Sequence, residues 1–468
     1  MKVIPMFWRI AMGGLLLLMG RDAFANAIAV TNVGLTWKDE SARTANVVFD
    51  LSWSNSWRGG ENRDAAWVFA KFRAPGSNNW QHATLSTNSS DHRPSADSTI
   101  EAVSDGKGVF IYRNADYTGN VSYVRTKLQW NYGSNGYTFA RGSTIEVSVV
   151  AIEMVYIPAG PFYIGSGGSE YGAFYEYPTT SKPYLITNET DAISIGQVNG
   201  YLYYPSPSGY CGDQTGVISN AFPKGYAAFY CMKYEISLGQ YVDFLNLDQS
   251  GYWNTLMGIT KDTLVTPPVY AAAAPNRACN YLYYGPGPYA DWAALRPMTE
   301  LEFEKACRGP LYPVSNEYAW GSTVGTQMTS FAGTEGSGTE TPVPTTANYR
   351  YLSGHENDPH RVGLYAKANS TRENAGAGYF GCMELSGNCF ERCVWVGPVG
   401  RAFRGTLGDG DSSTTNPDWP TVVYSESSWR WIMRGGARWD GNGETSHRGH
   451  EHFDRMGATG GRAVRQAP

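Results

Sequence analysis

Three histidines, His447, His450 and His452, fall within one six-residue window near the carboxyl end. Imidazole nitrogens at that density form a ligand set for zinc or iron. Glu444, Glu451 and Asp454 are the only carboxylates beside them. The same window also reads as a polar binding loop. Arg438, Trp439, His447, Arg448, His450, His452, Phe453 and Arg455 offer stacking faces, positive charge and hydrogen-bond donors within one short segment. Cys389 and Cys393, four positions apart, are the second reactive group. That spacing suits a redox pair, a structural disulfide or two buried sulfurs under loops.

The seven cysteines all lie between Cys211 and Cys393. An odd count leaves at least one sulfur as a thiol or for another chain, and the sequence does not assign connectivity. The compartment is read from the first 25 residues. Lys2 and Arg9 precede or open an apolar run from Ile10 to Met19, and Ala23-Phe24-Ala25 supplies small residues at cleavage spacing, the pattern of a secretory signal. The run is shorter than the roughly 20 residues of a bilayer-spanning helix, and no later stretch reaches about 18 consecutive apolar residues. A mature chain secreted to the periplasm or cell surface, without a transmembrane segment, is the expectation. There, disulfides are permitted.

The elements that must position these side chains come from a chain of 468 residues, long enough for two or three domains at about 100–200 residues each. Lys plus Arg at 37 against Asp plus Glu at 42 gives a charge of −5, too balanced for a nucleic-acid partner. Charged residues make up only 17%, against 54 Gly, 32 Tyr and 15 Trp, so the chain should fold, with much irregular backbone. From residue 26 to 152 the pattern has period two: Val47, Phe49, Leu51 and Trp53 alternate with Asn46, Val48, Asp50 and Ser52. Similar runs at Trp67 to Phe72, Val109 to Tyr112, Val124 to Trp130 and Ile145 to Ile152 predict an all-β sandwich. Residues 153–468 then read as a loop-rich α+β domain with two helices. One follows Ser237; the other is announced by the capping box Thr299 with Glu302.

In this second domain the motifs resemble the formylglycine-generating enzyme family, also called the sulfatase-modifying factor family, whose fold is related to C-type lectins. Met154-Val155-Tyr156-Ile157-Pro158-Ala159-Gly160-Pro161-Phe162 with Ile164-Gly165-Ser166 resembles its opening strand and turn, and Phe229 to Asn246 its "YEVT..QY..F" helix entry. Arg296 to Ala306 resembles "RLPTEAEWEKA", Tyr318-Ala319-Trp320-Gly321 "YPWG", and Met383 to Glu391 "DMSGNVWE". Met433-Arg434-Gly435-Gly436 and Gly460 to Val464 resemble the closing "RGGS" and "GFR" strands. Most of these residues also have a plain structural reading: Gly165, Gly321, Gly387 and Gly435 suit turns that need positive φ, and Trp320 and Phe390 suit a core between loops.

The resemblance implies an oxidase with a copper-binding cysteine pair after "RGGS". Here no cysteine follows Cys393, so copper is not expected and the chain reads as a pseudoenzyme more than an enzyme. Related iron enzymes take ligands from a helical N-terminal domain with paired histidines, whereas this N-terminal part holds only His82 and His92. The resemblance also implies calcium, at Glu384, Gly387, Cys389 and Glu391, with a second site at Asn348, Tyr349 and Asp358. The leading expectation is a secreted, non-catalytic protein whose lectin-like scaffold offers residues 438–455 to an extracellular ligand, glycan or protein. That loop resembles the region that diversity-generating retroelements vary in lectin-fold proteins. The alternatives are a self-assembling structural subunit of a surface filament, and a formylglycine-generating-type or non-haem metal oxidase with atypical ligands such as the histidine cluster.

Overall fold

The computed structural model describes residues 27–139, 142–207, 209, 211–248, 252, 258–282, 285–349, 359–367, 369–414, 416–420, 431–437, 441–449 and 459–468. Strand dominates, and the described residues contain three α-helices. They divide into two compact units, one ending at Glu153 and the other opening at Met154.

The first unit contains β1 (Ala29–Asp39), β2 (Thr44–Gly59), β3 (Asn62–Arg73), β4 (Gln81–His82), β5 (Ser98–Ala102), β6 (Val109–Arg113), β7 (Tyr117–Trp130) and the start of β8 (Glu146–Ile157). β2 pairs antiparallel with β1 on one edge and β7 on the other. β3 pairs with β4 and β6, and β6 with β5. The period-two pattern of β2 puts Val47, Phe49, Leu51 and Trp53 inside, each at most 1% exposed. They join Ala66, Val68, Ala70 and Phe72 of β3 and Leu128 and Trp130 of β7 in one core. A register shift between Trp53 and Ser56 marks a bulge in β2. Buried Asp64 fastens it, accepting from the Trp53 indole at 3.1 Å, the Ser56 hydroxyl at 2.8 Å and the Trp57 amide at 3.1 Å. β1 and β5 were not among the runs read from the sequence; β1 alternates from Val33 to Lys38 but is broken at Thr31-Asn32, and β5 is only five residues long.

In the second unit, Met154 to Ile157 pair with the strand Phe229–Met232, which pairs with Ala463–Gln466, which in turn pairs with Arg296–Pro297. The opening, middle and closing motifs are thereby neighbours. A separate ladder sets Phe390–Val394 between Trp431–Arg434 and Thr459–Gly460. Helix α1 (Leu238–Asp248) begins after Ser237, whose hydroxyl accepts from the Gln240 amide at 3.3 Å while the Gln240 side chain takes the Ser237 amide at 3.0 Å, a reciprocal cap. Helix α2 (Gly287–Trp292) is one short segment the sequence reading omitted; six residues opening on Gly-Pro leave no helical period to detect. Helix α3 (Glu300–Arg308) has the expected capping box at Thr299 and Glu302, and all nine of its residues are buried. The four glycines assigned to turns, Gly165, Gly321, Gly387 and Gly435, have φ of 74°, 86°, 95° and 79°.

The cap on α3 generates a test. Thr299 accepts from the Glu302 amide and donates to the Pro223 carbonyl at 3.0 Å. Thr299→Ala should cost about 1–2 kcal/mol in denaturant unfolding; an unchanged midpoint would contradict the assignment.

Candidate functional site

The motif around α3 carries more charge than a fully buried helix normally tolerates, and each charge has a partner. Arg296 grips Glu302 with two nitrogens at 2.9 and 2.6 Å. Glu300 and Glu304, one turn apart, lie on the same face of α3. Glu300 accepts from Arg434 at 2.8 Å and from Arg448 at 2.7 and 3.0 Å, and from the Val396 amide at 2.8 Å. Glu304 accepts from Arg434 at 2.6 Å, Arg308 at 3.0 Å and the Gly165 amide at 2.7 Å. Arg308 also meets Glu317. Three glutamates thus balance three arginines, all 3% exposed or less. Burial pushes the Glu304 carboxyl up, but Arg434 and Arg308 outweigh it and hold it below its usual range. Charges this deep are stable only when so satisfied.

This network changes the expected binding loop. Arg448 is not a surface contact: it is fully buried, with its guanidinium on Glu300 and on the Gly172 and Cys211 carbonyls at 3.0 Å each. The Phe174 and Tyr204 rings flank it at 4.0 and 4.4 Å. Ser446 takes part as well, bonding Glu304 and receiving Arg308. His447 is 8% exposed, and its Nδ1 accepts from the Gly449 amide at 3.2 Å. It too lies under the surface. Arg438, Trp439, His450, His452, Phe453 and Arg455 lie outside the described residues. Gly435 explains the glycine of "RGGS": a side chain there would put Cβ 2.6 Å from the Leu385 carbonyl oxygen at positive φ.

The residues expected to hold calcium are brought together around a different arginine than their neighbours in sequence suggest. Glu391 pairs with Arg462 at 2.5–2.6 Å, not with Arg392 or Arg434. Glu384 accepts from the Gly363 amide at 2.8 Å. The second carboxylate oxygen of each, Oε2, is buried and accepts no hydrogen bond. A third carboxylate, Glu235, was missed by the sequence reading. It is fully buried and accepts from the Asn388 side chain at 2.5 Å and the Cys389 amide at 2.9 Å. Burial pushes Glu384 up to about 7 and raises Glu391 and Glu235, the last also through its two acidic neighbours. Among the described residues, no group of three or more His, Cys, Asp or Glu is arranged to hold a metal. The second expected site is weaker. The Asn348 side chain accepts from the Thr326 amide and donates to the Glu373 carbonyl, both at 2.8 Å, and the Tyr349 carbonyl accepts from Met328 at 2.9 Å. Asp358 lies outside the described residues.

All seven cysteines are buried thiols. Cys389 and Cys393 cannot be a local redox pair or disulfide, because Phe390–Val394 is extended and separates them by roughly 10 Å or more. A small recess is lined by Arg277, Glu335, Glu340, His360, Arg361 and Leu364. Its charges are mutually engaged, Arg361 with Glu340 at 3.2 Å and Arg277 with Glu335 at 3.5 Å.

Removing one arginine from the α3 network isolates its role. Arg434→Met leaves Glu300 and Glu304 short of charge, and should cost about 3–5 kcal/mol in equilibrium unfolding. A variant within 1 kcal/mol of the parent would show that the network does not hold the fold.

Comparison with protein families matches residues 215–465, more than half of the chain, to the sulfatase-modifying factor enzyme 1-like domain. No curated protein matches the chain. The match spans α1, α3, the Phe390–Val394 ladder and the closing strand, and so covers both the α3 ion network's arginines and the Glu384 to Glu391 motif. The chain belongs to the sulfatase-modifying factor enzyme 1-like, or formylglycine-generating enzyme-like, family.

Proposed function

We propose that the chain is an extracytoplasmic, non-catalytic binding protein, a sulfatase-modifying-factor-type scaffold that offers the segment after Arg434-Gly435-Gly436 to an extracellular glycan or protein. One observation carries this reading. The segment in which the family's oxidases keep two copper-binding cysteines has none here; instead Ser446 and Arg448 are built into the buried ion network. Its chemistry has been given to holding the fold. Contact then falls to Arg438, Trp439, His450, His452, Phe453 and Arg455, whose types suit stacking and charge recognition. The signal-like residues 1–25 support export. A sandwich layout for the first unit is supported by a core drawn from both the β1-β2-β7 and the β3-β6 ladders.

Calcium belongs to the same reading, as a stiffener and not a reactant. Glu384 and Glu391, with the Gly387 and Cys389 carbonyls, would hold it. The fit rests on two buried carboxylate oxygens without hydrogen bonds, and on three neighbouring carboxylates, Glu235 included, beside the guanidiniums of Arg462 and Arg361. A hard divalent cation is the natural neutraliser of such a set.

Elemental analysis of purified protein should find calcium near one per chain without stoichiometric copper, iron or zinc; a stoichiometric redox metal would overturn the non-catalytic reading. The raised Glu384 pKa gives a second check. A carboxyl that binds its proton more tightly folded than unfolded makes stability fall as pH rises from about 4.5 to about 7. With chelator present, the melting temperature should therefore drop across that window, calcium should restore most at its upper end, and Glu384→Gln should flatten the dependence. A melting temperature indifferent to both pH and calcium would contradict the site.

A further inference from the structure

Among the seven buried thiols, two are in contact although far apart in sequence. Cys231 lies in the strand Phe229–Met232, and Cys382 in the turn before Met383. Both are 0% exposed, and their sulfurs share a hydrogen bond. The backbone around them is clamped. The Met383 amide donates to the Lys233 carbonyl at 2.8 Å. The Arg462 guanidinium reaches the Met232 and Lys233 carbonyls at 3.2 Å each and the Met383 carbonyl at 2.7 Å. One guanidinium therefore binds the residue that follows each cysteine. The Cys231 sulfur also reaches the Met232 carbonyl at 3.6 Å, as that of Cys279 reaches the Asn280 carbonyl at 3.7 Å, while the Cys211 sulfur donates to the Arg448 carbonyl at 3.3 Å.

We infer that Cys231 and Cys382 form a disulfide when the chain folds under oxidising conditions, stapling the Phe229–Met232 strand to the loop that carries Glu384 and Asn388. The electrons go to a small-molecule or protein disulfide. The Cys382 thiolate attacks that disulfide and releases one thiolate, giving a mixed disulfide. The Cys231 thiolate then attacks the Cys382 sulfur and releases the second. Two thiols thus lose two protons and two electrons, and one oxidant disulfide becomes two thiols. Because both sulfurs are fully buried, the exchange belongs to folding, before the loop seats. Afterwards the same burial shields the bond from reductants. The long loop closed by the bond restricts the unfolded chain, so the bond should stabilise the fold.

The test refolds the chain in a mixture of oxidised and reduced glutathione, alkylates it under denaturing conditions and digests it without reduction. Mass spectrometry should find the Cys231 and Cys382 peptides cross-linked and the other five cysteines alkylated. Alkylation of both, or a link from either to another cysteine, would overturn the inference. The same protein should melt several degrees lower once unfolded and refolded in dithiothreitol, while native protein held in dithiothreitol keeps the cross-link. An identical melting temperature for the oxidised and reduced forms would equally overturn the proposed staple.

Discussion

Glu300 and Glu304, one helical turn apart on α3, share Arg434 and recruit Arg448 and Arg308 at positions with no solvent exposure. Each charge would be costly alone. Together they fix the geometry of segments that are distant in sequence: the turn at Gly165, the carbonyls of Gly172 and Cys211, the Val396 amide and the closing residues Ser446 and Arg448 all hydrogen-bond into one cluster. Such a set is directional where hydrophobic contact is not, which matters in a unit whose strands are mostly two to four residues long. The family motifs are, in this light, largely the parts of one ionic joint and the glycines that let backbone approach it.

A second cluster differs in sign. Three carboxylates, Glu235, Glu384 and Glu391, gather near Arg462 and Arg361, and two carboxylate oxygens are left without hydrogen bonds. The α3 network pairs its charges, whereas burial pushes the Glu384, Glu391 and Glu235 carboxyls toward their protonated forms. That contrast separates the permanent frame from the part that a cation would complete. Trp431–Arg434, paired with Phe390–Val394, leads into the segment proposed to meet ligand.

Much of this was legible in the sequence where the signal is local. The alternation of Val47, Phe49, Leu51 and Trp53 gave the buried face of β2, and Thr299 with Glu302 gave the start of α3, because caps and pleats act over two to four residues. The ion pairs were not. Arg448 sits among Ser, His and Gly and reads as a solvated loop residue; only the folded chain brings it to Glu300. Glu391 has Arg392 beside it, yet its partner is Arg462 across the ladder. Glu235 stands in the "YEVT"-like helix entry, but nothing local in that motif links it to Glu384 or Glu391, far along the chain. The contact of Cys231 with Cys382 has the same origin: pairing depends on topology, which spacing does not encode.

A scaffold without cysteine after Cys393 should lack the family's oxidation chemistry. The direct measurement is incubation of the purified chain with copper, dioxygen, a reductant and a cysteine-containing sulfatase-type peptide, followed by mass spectrometry of the peptide. A peptide recovered with its cysteinyl side chain intact, beside a formylglycine-generating enzyme control that converts it, is the predicted result. Formation of the aldehyde by this chain would contradict the account.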